Sequence, residues 1–293
     1  MDNLKIIRTI QVTDRFDAYE AEYKGRRVFA KKAKGEKPRE LLARVPENSD
    51  VANRMGRETA FQFRAPQIYK QAGDWLVTEW IKGDSLGKKV EAQPEAVAEV
   101  LASFLLVLDR EPVSNQEIRK TFASDSLAAY MKEKLPKNLS PEQNKILADA
   151  KNIFDQLQMT LTTSWQDGDI KPDHIFADPK NKDGFVLVDP EHLDQRWPRF
   201  YSLANNFSKY WVRGPKEFSK ILVQLFMNKS GISEEAILRP LLASIIVRGI
   251  SLHWEADYDP GAESYNIPRA QEMLKACLAA NNLDDLTSSR LSR

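Results

Sequence analysis

The chain reads as an α+β protein in which a small, strand-rich lobe with one helix precedes a larger helical lobe. Three observations predict it. Short β-type runs crowd roughly the first eighty residues. Beyond them apolar residues recur mainly at helical spacing. A short polar connector, IKGDSL (81–86), separates the two regimes. Strands followed by helices in this order is the α+β pattern, with a cleft as the natural ligand position. The predicted division is residues 1–80 and 81–293, with a hinge at about 78–84.

The elements follow in order. Ile6–Val12, Ala18–Tyr23 and Arg27–Ala33 are β-type runs, and Lys24-Gly25 is a tight-turn pair between the last two. Residues 48–64 read as a helix closed by Ala65-Pro66. Strands are expected at Gln67–Gln71 and Trp75–Trp80. Pro94, at a first-turn position, opens an Ala/Val/Leu helix to about Leu108, and a more polar helix is expected over 114–133. Ser140-Pro141-Glu142-Gln143 is a helix start: Ser140 caps, Pro141 fits the first position and Gln143 completes a capping box. Ile146, Ala150, Ile153, Leu157 and Leu161 continue that helix at helical spacing. Ile175–Ala177 and Phe185–Asp189 are strand-like runs flanking DPKNKDG, a hairpin signal, and helices are expected near 215–229, 233–254 and 267–281.

Composition narrows the function classes. Apolar content of 42% and charged content of 29% are those of a globular domain. A net charge of +1 and the lack of a basic tract point away from nucleic acid and from anionic membranes. The longest apolar runs, such as VLASFLLVL (100–108), are too short to span a bilayer. A single cysteine, Cys277, leaves no intramolecular disulfide, and MDNLKIIRTIQ lacks the apolar core of a signal peptide. The expected setting is the cytoplasm, with a monomer assumed.

Chemistry concentrates in WQDGDIKPDHIF (165–176), which holds three carboxylates, a lysine and one of only three histidines. If 175–177 and 185–188 pair as a hairpin, its open end gathers Asp169, His174 and Asp189. Two carboxylates and an imidazole converging there suit a divalent cation beside nucleotide phosphates. In RRVFAKKA (26–33), alternation with Ala30 puts Lys32 on the inner face, where a lysine can reach a phosphate; a bulge would substitute Lys31. Such a lysine needs a carboxylate beside it, and Glu58 on the expected helix is the candidate.

These residues resemble a family. Ala30-Lys31-Lys32 looks like the Ala-x-Lys end of the kinase strand motif, Glu58 like its helix partner, and TEWIKGDSL (78–86) like the hinge of small-molecule kinases. DGDIKPDH with VDPEH is similar to the catalytic loop and metal-binding Asp of the aminoglycoside phosphotransferase and choline kinase group, over roughly residues 5–205. The resemblance implies the bilobal protein-kinase-like fold and an ATP- and Mg²⁺-dependent transfer of phosphate to a small-molecule hydroxyl. It implies that Asp169 orients the acceptor hydroxyl, that His174 and Asp189 bind Mg²⁺, that Lys32, steadied by Glu58, holds the α/β-phosphates, and that backbone at Glu79, Trp80 and Ile81 meets the adenine.

Four departures stand out. Asp167 replaces the usual His, His174 the usual Asn ligand and Ser202 a loop-bracing Asp, leaving Asn205 as a possible substitute; the first hairpin has no glycine. Asp167 and Ser202 feed the alternative, a pseudokinase that binds without turnover. Asp167, Glu191 and Asp194, with HWEADYDPGAE (253–263), would suit a cationic small-molecule acceptor, with Trp254 and Tyr258 an aromatic wall for an ammonium group; solvated surface charge is the plainer reading. His192, His253 and Cys277 read as structural.

Overall fold

The computed structural model describes the backbone of residues 3–110, 112–113, 117–135, 137–258 and 263–288, and the side chains of the same residues except 112–113, 160, 253–258, 263–266 and 287–288. The acidic and aromatic cluster at 253–263, including His253, Trp254 and Tyr258, lies outside the described side chains. Two compact units result. Met1–Lys88 with Ile170–Leu193 form the first, and Lys89–Asp169 with Asp194–Arg293 the second.

The first unit is built on a five-stranded sheet of order β1-β2-β3-β6-β5. The strands are β1 (Leu4–Val12), β2 (Phe16–Tyr23), β3 (Arg26–Ala33), β5 (Ile68–Ala72) and β6 (Trp75–Glu79), every pair antiparallel. Lys24 and Gly25 both take positive φ (52° and 75°), the backbone a two-residue turn needs to match strand twist. A second sheet joins β4 (Phe63–Arg64), β10 (Phe185–Leu187) and β9 (Ile175–Ala177). The β9–β10 hairpin pairs antiparallel, as its flanking sequence predicts, and β4 lies parallel to β10.

Helix α1 runs over Glu36–Gly56 rather than 48–64. Pro46, whose type favours a helix start, lies inside it. A proline there removes the donor to the carbonyl four residues back. That carbonyl belongs to Leu42, and Gln71 Nε2 from β5 supplies the missing hydrogen bond at 2.8 Å. The helix stops at Gly56, where an added Cβ would meet the Phe63 carbonyl oxygen at 2.1 Å. Glu58 therefore follows the helix instead of lying on it.

The second unit is mainly helical. It comprises α2 (Pro94–Arg110), α3 (Ser124–Lys134), α4 (Pro141–Leu157), α5 (Tyr201–Arg213), α6 (Lys216–Ser230), α7 (Glu234–Tyr258), α8 (Glu263–Ala279) and α9 (Leu283–Ser288). A small sheet orders β11 (Leu193–Pro198), β8 (Thr163–Asp167) and β7 (Pro112–Val113). The polar helix expected over 114–133 is shorter: a 3-10 turn at Lys120–Phe122 precedes α3, and residues 114–116 lie outside the described residues. The capping box forms as read, with Gln143 N–H donating to Ser140 Oγ and Ser140 N–H to Gln143 Oε1. Phe104, Phe154, Phe200, Phe207, Trp211, Phe218 and Phe226 are fully buried, each contributing roughly 1.5–3 kcal/mol or more by leaving water. Among the described residues no helix is long and apolar enough to cross a membrane.

Candidate active site

Register decides which lysine of β3 is which. Ala18, Lys31 and Leu76 share one cross-strand row, and Tyr19, Ala30 and Val77 the next. Adjacent rows face opposite sides of a sheet. Ala30 packs with Ala21, Tyr23, Val28 and Val77 on one side. Leu76 and Ala33 pack with Leu42 and Val45 of α1 on the other. Ala30 is buried, but on the side away from α1. Lys32 shares that side, with Nζ 5.5 Å from the Trp75 ring centroid. The expected Lys32–Glu58 pairing is thus not formed. Lys32 faces away from α1, and Glu58 is exposed in the turn after it, its amide donating to Met55 O. No bulge is required: both faces of the sheet are covered, so the burial of Ala30 does not mark the α1 side.

Lys31 is on the α1 side and 7% exposed. Its Nζ lies 2.5 Å from Glu191 Oε1 and 3.4 Å from Asp189 Oδ1, with the Phe16 ring centroid 4.4 Å away. Burial works against the ammonium, but the two carboxylates outweigh it and raise its pKa, so Lys31 stays charged. The third-strand ammonium and the carboxylates beyond the β9–β10 hairpin therefore face one another within the first unit.

Those carboxylates are positioned by local chemistry. The Val188 amide donates to His174 O at 2.9 Å, extending the hairpin so that His174 and Asp189 flank its end. Asp189 takes a left-handed backbone (φ 55°, ψ 51°) immediately before Pro190. A non-glycine residue there costs roughly 1–2 kcal/mol, a strain that neighbouring contacts must hold. Asn48 Nδ2 of α1 donates to Pro190 O at 2.7 Å, and Arg44 donates to Leu193 O at 3.1 Å. Helix α1 thus grips the 189–193 segment through an amide and a guanidinium, while Glu191 supplies the acid for Lys31.

Beside these groups lies a cavity of about 590 Å³, within the range of small-molecule sites at about 300–1,000 Å³. Its walls include Ala18, Phe29, Leu76 and Thr78 from the sheet, Glu79, Trp80 and Ile81 at and beyond the end of β6, and His174, Asp189 and Glu191. Glu79 turns its side chain to Arg64 (2.7 Å) and Lys180 (2.6 Å), and its amide donates to Gln67 O. Burial opposes ionisation of Glu79, but the hydrogen bonds from Arg64 and Lys180 lower its pKa, so this carboxylate is charged and structural. Trp80 carries the Arg27 guanidinium 4.6 Å over its ring, and Arg27 and Arg8 both pair with Glu20. A cation held by Asp189 and His174 would have one carboxylate and one imidazole from the chain. Among the described residues no group of three or more acidic, His or Cys side chains forms a closed cation cage. Mg²⁺ prefers oxygen donors and completes its shell with phosphate oxygens and water, so such a cation would lean on Asp189, with the His174 imidazole the weaker ligand.

Asp169 belongs to the second unit, one peptide bond before the first unit resumes at Ile170. Its amide donates to Asp167 Oδ1 at 2.8 Å. Ser202 Oγ accepts from the Asp167 amide (2.9 Å) and donates to Asp167 O (3.0 Å), and Asn205 Nδ2 donates to Gly168 O (3.2 Å). Trp197 presses on Gly168, where an added Cβ would come 2.4 Å from Cζ2. The acids expected to attract a cation are engaged elsewhere. Asp167 holds the loop, Glu191 holds Lys31, and Asp194 pairs with Arg119 (2.9 Å) and Arg196 (2.8 Å).

No protein-family model matches the sequence, and no curated protein matches it. Solved structures do. Aminoglycoside phosphotransferase APH(4)-Ia superposes with a TM-score of 0.62 at 12% identity, covering 96% of this chain and 95% of that one. An ethanolamine kinase from Plasmodium vivax gives 0.59 at 14% identity (92% and 81%), and a choline/ethanolamine kinase family protein from Mesorhizobium loti 0.60 at 12% (96% and 92%). The fold is that of the aminoglycoside phosphotransferases and choline/ethanolamine kinases. Sequence reasoning missed two members of the buried charged cluster. Lys31 was legible only as a parity alternative. Glu191 lies two residues beyond Asp189, and its role depends on a backbone turn that spacing alone does not show.

Proposed function

We propose that the chain is an ATP- and Mg²⁺-dependent phosphotransferase acting on a hydroxyl of a small molecule. The observation that carries this reading is the buried Lys31 ammonium set against Asp189 and Glu191 beside a nucleotide-sized cavity. A variant of the phosphotransferase neighbour has been crystallised in a ternary complex with ADP and hygromycin B, which is consistent with a nucleotide and a hydroxyl-bearing acceptor.

In this reading Lys31 attracts the α/β-phosphates as a point charge, and the hinge backbone over Glu79–Ile81 meets the adenine. Asp189 and His174 would hold Mg²⁺, which supplies charge neutralisation on the phosphates. Asp169 accepts or orients the proton of the acceptor hydroxyl. The protein's work is positioning and electrostatics, as in phosphoryl transfer generally. Residues 78–84 serve as the hinge between lobes of residues 1–80 and 81–293. The single cysteine, Cys277, leaves no intramolecular disulfide, which accords with a cytoplasmic setting. A cationic acceptor now rests on the cluster at 253–263 alone, because Asp167, Glu191 and Asp194 are internally engaged.

The test is a thermal-shift titration with ATP, with and without Mg²⁺, followed by a coupled ATP-consumption screen over aminoglycosides, macrolides, choline-like alcohols and sugars. Stabilisation that needs the metal and is lost in Asp189→Ala, with acceptor-dependent turnover, is the expected result. Nucleotide binding indifferent to both metal and mutation, without turnover, would leave a pseudokinase instead.

A further inference from the structure

Ser202 stands where the resemblance leads one to expect a bracing carboxylate, so the loop at 166–169 needs its anchor from somewhere else. The second unit contains a carboxylate that no proposed chemical step uses. Asp109, near the C-terminal end of α2, is 2% exposed. Its Oδ1 accepts three hydrogen bonds: from the Phe200 amide (3.0 Å), Gln166 Nε2 (2.9 Å) and Ser164 Oγ (3.3 Å). Gln166 in turn accepts from the Ser202 amide through Oε1 at 2.8 Å. Ser202 Oγ grips the Asp167 amide and carbonyl, and Asp167 Oδ1 receives the Asp169 amide. The contacts form an unbroken chain from Asp109 to Asp169. Each link is short and lies wholly inside the second unit.

We propose that Asp109 is the carboxylate that braces the catalytic loop, a positioning residue that acts on Asp169 through Gln166, Ser202 and Asp167. The proposal rests on the phosphotransferase reading for its consequence in turnover, but the brace itself can be measured without it. All three donors converge on Oδ1, while Oδ2 is buried with no hydrogen-bond partner. The nearest cation is Arg199, whose Nε is 3.9 Å from Oδ1 and whose Nη2 donates to the Asp109 backbone carbonyl at 3.1 Å. Burial pushes the Asp109 carboxyl up to about 7, against the pull of these donors and Arg199. The proton then belongs on Oδ2, and Oδ1 remains an acceptor in either state. An asparagine with its carbonyl in the Oδ1 place should keep the brace; a leucine should cut it.

The experiment compares wild type, Asp109→Asn and Asp109→Leu by hydrogen–deuterium exchange and by steady-state kinetics. Asp109→Leu is expected to speed exchange across residues 163–170 while peptides of the first unit exchange as in wild type. It should lower kcat by roughly 10–100-fold, the size of effect that slight misplacement of a catalytic group produces, with the KM for ATP held within about twofold. Asp109→Asn should restore both to near the wild-type values. Should Asp109→Leu unfold, Ser202→Ala cuts the same chain two links later and is expected to reproduce the exchange pattern. Unchanged exchange at 163–170 in a folded Asp109→Leu protein overturns the brace. So does a parallel fall in kcat and in ATP affinity, the mark of general destabilisation. A wild-type protein without turnover, in which Asp109→Leu still loosens 163–170, sinks the phosphotransferase reading and keeps the brace.

Discussion

Replacing Lys31 by methionine tests the register argument and the site together. Methionine keeps most of the stem volume and removes the charge. The lost partner is a nearly buried carboxylate, since the Glu191 side chain is 5% exposed and that of Lys31 9%. At an effective dielectric of about 20, two charges at the observed separation attract by roughly 7 kcal/mol before desolvation is counted. Measured losses on breaking one side of a buried pair are about 3–5 kcal/mol, mostly the cost of the charge left behind. Asp189 adds little, because its side chain is 35% exposed and solvent screens it. Lys31→Met should therefore cost about 3–5 kcal/mol. Lys32→Met, which loses only a cation–π contact with Trp75, should cost no more than about 1 kcal/mol. Adding Glu191→Leu to Lys31→Met should recover about 2–3 kcal/mol, because the orphaned charge is then gone. The assay is urea unfolding followed by fluorescence and circular dichroism together, so that separate melting of the two units would show as divergent transitions. A Lys32→Met protein as damaged as Lys31→Met, or a double variant no better than the single, would refute the assignment of Lys31.

Other outcomes follow from the same geometry. Arg64→Ala removes the guanidinium that bonds Glu79 and Asp178, whose side chains are 8% and 5% exposed, and should cost about 3 kcal/mol in urea unfolding. Asp109, raised from 3.8 to about 7, binds its proton in the folded state where the unfolded chain has lost it. Its favourable contribution is complete below pH 3.8 and disappears as pH rises towards 7, a span worth about 4 kcal/mol; the difference in unfolding free energy between wild type and Asp109→Asn should fall over that window and flatten above it. Gly168→Ala drives a methyl into the Trp197 ring and should destabilise by about 1–3 kcal/mol, with turnover falling further than stability predicts. Asp169→Asn should keep the Mg·ATP thermal shift and lose about 10²–10⁴-fold in turnover, since only the proton acceptor is gone.

Much of the fold was legible because its signals are local. The Lys24-Gly25 turn, the capping box at Ser140 and the β9–β10 hairpin each depend on a few adjacent residues, and each formed as read. Helix α1 runs over Glu36–Gly56 instead of 48–64 because partners distant in sequence act at Pro46 and at its end: Gln71 bonds the Leu42 carbonyl that Pro46 leaves without a donor, and Phe63 closes on Gly56. The acidic field read around Asp167, Glu191 and Asp194 was a matter of composition, and hydrogen-bond partners far away in sequence engage it.

By itself the sequence determined the order of elements, the residue types gathered at the candidate site, and the loop that carries Asp169. It did so because periodicity and turn chemistry act over a few residues. Only the tertiary structure decided that Lys31 rather than Lys32 meets the acids, that Glu191 takes the place expected of Glu58, and that Asp109 stands behind the loop. A sheet covered on both faces shows the same alternation whichever side the ligand occupies, and a buried carboxylate is identified by donors that the chain brings from tens of residues away.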